Sequence, residues 1–210
     1  FHDIGYRRGL LKGDRDGSYI TDDEGNRVKP TQGATDAYLM PYHVTRGCLL
    51  MHERFGSDPS VDVATITSYI EMTRFPVPQD KRYQPTDTFA GLVRAADLIG
   101  QMGDPLYVQK LARLYVEFFE TGEAARLNYH NAGELRAGFP EFFHEHVHPY
   151  ITEGLRFLRK TQEGQQWTPN LFHHLHNEQD SEPGWGPERS AQSSADDNIP
   201  PPAQIAISNQ

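Results

Sequence analysis

Apolar residues recur every three or four positions over most of this chain, a spacing that predicts α-helices. The predicted helices cover residues 35–55, 61–72, 85–102, 104–122, 140–161 and 167–178. Residues 13–33 lack this period, and a polar turn flanked by β-favouring residues predicts a small exposed hairpin there. The pattern therefore predicts an all-α fold, a helical bundle with one hairpin or loop insert.

The helix predicted over residues 85–102 has a clear amphipathic pattern, with Thr86 or Asp87 as its cap. Its predicted apolar stripe consists of Phe89, Leu92, Val93, Ala96 and Ile99. Asp97 lies within that stripe, where an unpaired carboxylate is costly to bury. We expect Asp97 to take its cation from elsewhere in the chain rather than from Arg94 on the same helix.

Composition and charge narrow the class of protein. The chain has 210 residues, of which 37% are hydrophobic, enough for one domain of ordinary size. Its 20 Lys+Arg against 29 Asp+Glu give a formal net charge of −9, which argues against nucleic acid as a partner. No apolar run approaches the roughly 18 residues of a membrane span. Because the single Cys48 also excludes an internal disulfide, we expect a soluble, cytoplasmic protein.

The two ends of the chain differ from its middle. Phe1 opens directly into a motif with no cap before it, so the fragment is expected to lack its true N-terminus. After Asp180 the composition changes to Ser, Pro, Gly, Gln and Asp. This change predicts a disordered tail over residues 180–210 and one domain over residues 1–179.

Candidate chemistry begins with His2 and Asp3. An adjacent imidazole and carboxylate can bind one divalent ion, although an ordinary histidine beside a helix-capping aspartate gives the same dipeptide. Asp97 favours the metal site over the capping aspartate, because a metal held by the three side chains would supply the cation that Asp97 needs. Mixed nitrogen and oxygen ligands admit manganese, iron, magnesium, zinc, nickel or cobalt.

Three segments carry a resemblance to a known superfamily: FHDIGY at residues 1–6, TRFP at 73–76 and RAADLIGQMGDP at 94–105. They resemble the His-Asp (HD) domain metal-dependent phosphohydrolases, and within them a bacterial branch labelled as cyclic-nucleotide-phosphodiesterase-like. The resemblance implies an HD-type helical bundle and hydrolysis of a phosphodiester or phosphomonoester in a nucleotide or similar small metabolite.

The resemblance also implies a set of metal ligands. It matches His2 and Asp3 to the central pair of the superfamily pattern and Asp97 to its last ligand. The first histidine of that pattern has no match in this chain, as expected if the fragment lacks its N-terminus. Gln101 follows Asp97 by one helical turn and is expected to orient it.

Asp3, His43 and Arg74 are the predicted catalytic residues. Asp3 would act at the metal and its water, and the other two would stabilise the departing charge or orient the phosphate. His43 and His52 lie on roughly opposite faces of one helix, so they cannot both face one site. The resemblance favours His43, which aligns with a helix-start histidine of the superfamily, and a surface histidine is the alternative. The fork of donors of Arg74 could instead cap helix carbonyls.

Two other functions compete with this prediction. Residues 144–148 satisfy the His-Glu-x-x-His pattern of zinc proteases, but Pro149 follows at once and would disturb that helical turn. The second alternative is a catalytically inactive HD-type sensor that binds a metal or a nucleotide. Nucleotide affinity without metal would favour the sensor.

Overall fold

The computed structural model describes residues 1–179, and the predicted tail lies outside the described residues. The described chain is mostly helical, which confirms the predicted all-α class. Its α-helices are α1 (His43–Phe55), α2 (Val63–Met72), α3 (Phe89–Met102), α4 (Tyr107–Thr121), α5 (Glu123–Arg126), α6 (Ala132–Ala137), α7 (Phe139–Phe142), α8 (His148–Leu158) and α9 (Gln162–Gln179). Within residues 1–179, no helix combines the length and the apolar character that crossing a membrane requires.

Shorter elements complete the fold. The 3₁₀ helices are Ile4–Tyr6, Asp36–Tyr42 and Lys81–Tyr83. Strands β1 (Tyr19–Ile20) and β2 (Arg27–Val28) pair antiparallel, with Tyr19 opposite Val28, and confirm the predicted hairpin. Pro41 lies inside the second 3₁₀ helix, so the helix predicted over residues 35–55 is a 3₁₀ segment followed by α1.

Helix α3 lies at the centre of the fold, between α2 and α8. The main core includes Ala95, Leu98, Ile99, Phe143 and Ile151. A second cluster of buried residues joins α1 to α2 and consists of Val44, Met51, Val63 and Ile70. Because α3 packs on two sides, a side chain on it can be positioned accurately relative to the rest of the fold.

The predicted apolar stripe of α3 is partly wrong. Phe89 is 76% exposed and Ala96 is also exposed, and the helix begins at a different cap, Thr88, whose hydroxyl accepts a hydrogen bond from the Gly91 N–H. The buried positions are Gly91, Arg94, Ala95, Leu98, Ile99 and Met102. These positions are spaced as one face of a helix. They include a glycine and an arginine, which hydropathy would place outside a core.

A five-residue π-helical segment, Phe143–Val147, interrupts the helix predicted over residues 140–161. The N–H of His148 bonds to the carbonyl of Phe143, five residues earlier. Pro149 has no N–H to give to the carbonyl of Glu145, which accounts for the changed register. The predicted disturbance of this turn is therefore confirmed.

Arg46 on α1 ties the first part of the chain to the bundle. Its side chain is fully buried, and so is the carboxylate of Asp14, whose oxygens lie 2.8 and 3.2 Å from its guanidinium nitrogens. The guanidinium also donates to the carbonyls of Gly5 and Arg7, at 2.8 and 2.9 Å, and to that of Ile20. One side chain thus joins the 3₁₀ helix Ile4–Tyr6 and the hairpin to α1.

Removing this guanidinium would leave Asp14 and three carbonyls without their partner. We expect Arg46→Ala to lower the free energy of unfolding by about 3–5 kcal/mol, the usual cost of breaking a buried ion pair. Urea denaturation of the variant and of Arg54→Ala, which removes an exposed arginine from the same helix, measures the effect. An equal loss in the two variants would contradict the assignment.

The Asp14 carboxylate also makes stability depend on pH. Burial alone would raise its pKa, but hydrogen bonds from Arg46 and from the Ile20 N–H hold the pKa of Asp14 below its ordinary value. A pKa lowered on folding stabilises the fold at pH values above the ordinary pKa, near 4, and this stabilisation is lost as the pH falls through the lowered value. The stability advantage of the natural protein over Asp14→Asn should therefore shrink below about pH 4 in urea denaturation.

Candidate functional site

The predicted trio His2, Asp3 and Asp97 comes together at one place. The Nε2 atom of His2 lies 3.0 Å from Asp3 Oδ2 and 3.4 Å from Asp97 Oδ1. Hydrogen bonds to Asp3 and then to Asp97 raise the pKa of His2 to about 10, so that a protonated imidazole lies between two carboxylates. The side chain of Asp3 makes no capping bond to the 3₁₀ helix that follows it, so the alternative of a capping aspartate is wrong.

Close backbone contact positions the His-Asp pair. A Cβ atom on Gly5 would lie 1.9 Å from the carbonyl oxygen of His43, so only glycine lets the 3₁₀ helix approach the start of α1 this closely. Asp97 reaches the same place from α3, where its side chain is 13% exposed. Gln101 Nε2 donates to Asp97 Oδ1 at 2.8 Å, the contact that the helical spacing predicts.

His43 lies beside this trio in a defined orientation. Its Nδ1 is 2.5 Å from the carbonyl oxygen of Met40, and since a carbonyl only accepts, Nδ1 carries the hydrogen and Nε2 is left as an acceptor. The ring of Tyr6 stacks on it, with centroids 4.4 Å apart and planes 18° apart. Burial above all lowers the pKa of His43. The charges of Asp3 and Asp97 act on the same ring in the opposite direction and raise its pKa.

Arg74 lies within electrostatic range of His43, but its guanidinium is already paired. Its Nε and Nη2 donate to the two oxygens of Glu71 at 2.7 and 2.9 Å, and Nη2 also donates to Thr45 Oγ1 at 3.0 Å. Glu71 in turn accepts from the Tyr83 hydroxyl at 2.5 Å. Because the guanidinium of Arg74 bonds to side chains, the alternative role of Arg74 as a cap of helix carbonyls is wrong.

The sequence analysis did not single out Tyr6, whose ring stacks on His43, or Glu117, whose charge acts on the Tyr6 hydroxyl. Tyr6 is a partly buried phenol whose pKa is raised, first by burial and then by the carboxylates of Asp3, Glu117 and Asp97. Glu117 comes from α4, far along the chain. The FHDIGY motif contains Tyr6 and could have suggested it, whereas Glu117 has no sequence signal because it is one of many glutamates on exposed helix faces.

The side chains of His2, Asp3 and Asp97 are of the types that bind a divalent cation, but in this structure they are hydrogen-bonded to one another. Within residues 1–179, no three or more His, Cys, Asp or Glu side chains are arranged ready to hold a metal ion. The imidazole of His2 itself lies between the carboxylates of Asp3 and Asp97.

The other histidines considered in the sequence analysis lie elsewhere. His52 is exposed, as predicted from its face of α1. His144 and His148 have ring centroids 6.3 Å apart and are both exposed. The π-helical segment between them and the lack of a third described ligand leave the zinc-protease alternative without support.

The described fold is therefore an all-α bundle in which an N-terminal His-Asp pair meets an aspartate of the central helix. A family model described as Npun_R2479-like matches residues 1–181, and the chain belongs to this family. No curated protein and no solved structure matches it. The family description carries no activity, so the resemblance to the HD phosphohydrolases stays a prediction.

The contact between Gly5 and His43 predicts opposite effects for two glycine substitutions. Gly5→Ala forces a Cβ into the His43 carbonyl and should lower the free energy of unfolding by about 1–3 kcal/mol. Gly100→Ala on α3 meets open space and should raise it by about 0.5–1 kcal/mol, because alanine favours a helix interior. Urea denaturation of both variants measures these changes. A neutral Gly5→Ala would show that the approach is not tight.

Proposed function

We propose that this protein is a metal-dependent phosphohydrolase that cleaves a phosphoester in a nucleotide or similar small metabolite. The observation that carries the proposal is the convergence of His2, Asp3 and Asp97 from two segments that are distant in sequence. The resemblance of the FHDIGY and RAADLIGQ segments to HD phosphohydrolases supports it. The nearby His43 and Arg74 give the site groups suited to a phosphate.

His2, Asp3 and Asp97 would hold the divalent ion, which is manganese, iron, magnesium, zinc, nickel or cobalt by the chemistry of the donors. When bound, such an ion lowers the pKa of a coordinated water and polarises a phosphoryl oxygen. Gln101 would keep Asp97 in place through its 2.8 Å hydrogen bond. Because the bond from Gln101 uses Oδ1, the other carboxylate oxygen of Asp97 stays available to the ion.

The remaining residues have distinct roles in the proposal. Asp3 is the more exposed of the two carboxylates, so it can accept a proton from an attacking water. His43 is held by Met40 and Tyr6 with Nε2 as an acceptor, which orients a water or a protonated ester oxygen. Glu71 and Thr45 fix the guanidinium of Arg74, so its position does not depend on substrate.

The alternative is a sensor module that binds a metal or a nucleotide without cleaving it. The pairing of Arg74 with Glu71 favours it, because a guanidinium that already has a carboxylate partner contributes less to the charge on a departing group. Metal binding together with turnover distinguishes the enzyme from the sensor.

Asp97→Asn removes the charge of the proposed ligand and tests the proposal directly. We expect full-length natural protein to contain a stoichiometric divalent metal by mass spectrometry and to hydrolyse p-nitrophenyl esters of phosphate. In the variant, metal content and turnover should fall together, turnover by about a hundredfold or more. Asp87→Asn makes the same change at an exposed position near the start of α3 and should keep both.

Natural protein that contains no metal and has no turnover would overturn the phosphohydrolase proposal. Metal lost from both variants alike would show that overall charge, rather than Asp97, governs binding. A nucleotide that binds without being cleaved would assign the sensor function instead.

A further inference from the structure

Helix α4 has an apolar face that nothing in the described chain covers. Val116 is 61% exposed and Phe119 is 73% exposed, and the exposed Ala112 lies one turn before Val116. The intervals between these positions are four and three residues, so the three side chains lie along one side of the helix. These three residues are the α4 stripe.

The opposite face of α4 already packs against the rest of the fold. Tyr107 and Leu111 are buried in the main core, and Leu114, Tyr115 and Phe118 pack against it. The α4 stripe takes no part in this packing. Large apolar side chains that stand exposed in a row on a helix are typical of a surface that another protein covers.

The charged residues beside the α4 stripe occur in an order that does not stabilise the helix. Lys110 and Arg113 lie in its first half, and Glu117 and Glu120 lie in its second half. The helix macrodipole favours the reverse order, with acids near the N-terminus and bases near the C-terminus. A basic residue followed four positions later by an acid is also the weaker orientation of a helical ion pair.

Arg113 and Glu117 are the two of these charges that have no partner of opposite sign. Lys110 is already in an ion pair, and both oxygens of Glu120 accept hydrogen bonds from Thr35. Arg113 and Glu117 are exposed, and neither takes part in an ion pair within residues 1–179. Partial burial and then the charge of Glu120 raise the pKa of Glu117, as expected of an acid that has no cation beside it.

A second copy of this chain would cover the stripe and pair both charges. In a two-fold symmetric pair, parallel helices would place Arg113 against Arg113 and Glu117 against Glu117. Antiparallel helices instead place the first half of one helix against the second half of the other. With the two-fold axis beside Val116, Arg113 of each copy lies opposite Glu117 of the other. The same register places the small Ala112 opposite the large Phe119.

We propose that this protein forms a two-fold symmetric dimer in which the α4 stripes of two copies pack antiparallel. The stripe forms the apolar centre of the interface, and the pairs of Arg113 with Glu117 lie at its edge and select the antiparallel direction. One face of one helix is smaller than the surface that permanent dimers bury, so the dimer should dissociate at micromolar concentrations. This proposal does not depend on the proposed activity.

Sedimentation velocity of the full-length protein, from low micromolar to several hundred micromolar concentration, tests the dimer. Natural protein should change from monomer to dimer over this range. Phe119→Gln removes the largest side chain of the stripe and should raise the dissociation constant by about tenfold or more. Phe89→Gln makes the same change at a ring that is 76% exposed at the start of α3, and it should leave the dissociation constant unchanged. Because both rings are exposed, neither change alters the core.

Charge reversal in the same assay tests the direction of the two helices. Arg113→Glu places acids opposite each other and should raise the dissociation constant by about tenfold. Combining it with Glu117→Arg exchanges the two charges and should restore most of the affinity. Arg54→Glu makes the same change at an exposed arginine of α1 and should leave the affinity unchanged.

Disulfide cross-linking distinguishes the antiparallel dimer from a parallel one. In the proposed dimer the two copies of Val116 lie beside the axis. The two copies of Ala112 are separated by about 10 Å along the helices, more than the roughly 7 Å that a disulfide can span. Under mild oxidation, Val116→Cys should therefore form a covalent dimer and Ala112→Cys should not. Natural protein, which contains Cys48, gives the background.

Each result supports or overturns the proposal. Full-length protein that stays monomeric at every concentration overturns it, and so does a Phe119→Gln variant that dimerises as well as Phe89→Gln. Cross-linking of Ala112→Cys as readily as Val116→Cys, or equal effects of Arg113→Glu and Arg54→Glu, overturns the antiparallel arrangement. Since none of these measurements uses metal or turnover, they are separate from the test of the phosphohydrolase.

Discussion

The buried ion pair of Arg46 and Asp14 is the interaction on which the placement of the site depends. Neither charge is exposed to water, so each requires the other, and the remaining guanidinium donors are satisfied by carbonyls of the N-terminal segment. Since one of these carbonyls belongs to Gly5, the pair fixes the backbone next to His2 and Asp3. This polar anchor acts together with apolar contacts of the same segment, in which Leu11 is buried and the Phe1 ring packs against Phe55 of α1.

A second buried arginine has the corresponding role for the opposite part of the site. Arg94 is 1% exposed and has no carboxylate partner in the described chain; it donates to the carbonyls of Tyr83 and Pro85, and Tyr150 covers its guanidinium at 4.4 Å. Its burial lowers its pKa. These bonds fix α3 against the loop that precedes it, and Asp97 lies about one turn further along the same helix. The site is thus assembled by two cations that are not part of it.

The longer helices and the hairpin could be predicted because each depends on local spacing, but no local pattern predicts the short helices over residues 123–137. The meeting of the His-Asp pair with Asp97 follows instead from the need of a buried carboxylate for a cation and from the resemblance to HD phosphohydrolases. His2, Asp3, Asp97 and Gln101 lie in short motifs, and the structure places them within hydrogen-bonding reach. The buried face of α3 could not be predicted, because hydropathy excludes the Arg94 that tertiary carbonyls accommodate. The same reason hid the partnership of Asp14 with Arg46, whose residues are 32 positions apart and individually resemble surface charges.

The contact at Gly5 divides the candidate site into a rigid half and an adjustable half. The spacing between the His-Asp pair and His43 is set by backbone atoms in van der Waals contact, so changes in core side chains have little means of altering it. Asp97, in contrast, rests on α3, whose position depends on the volumes of the side chains packed between it and α8. Substitutions in the core would therefore move the Asp97 carboxylate relative to the His-Asp pair, whose position is fixed. Repacking of the core could thus change the distance between Asp97 and the His-Asp pair without replacing any residue of the site.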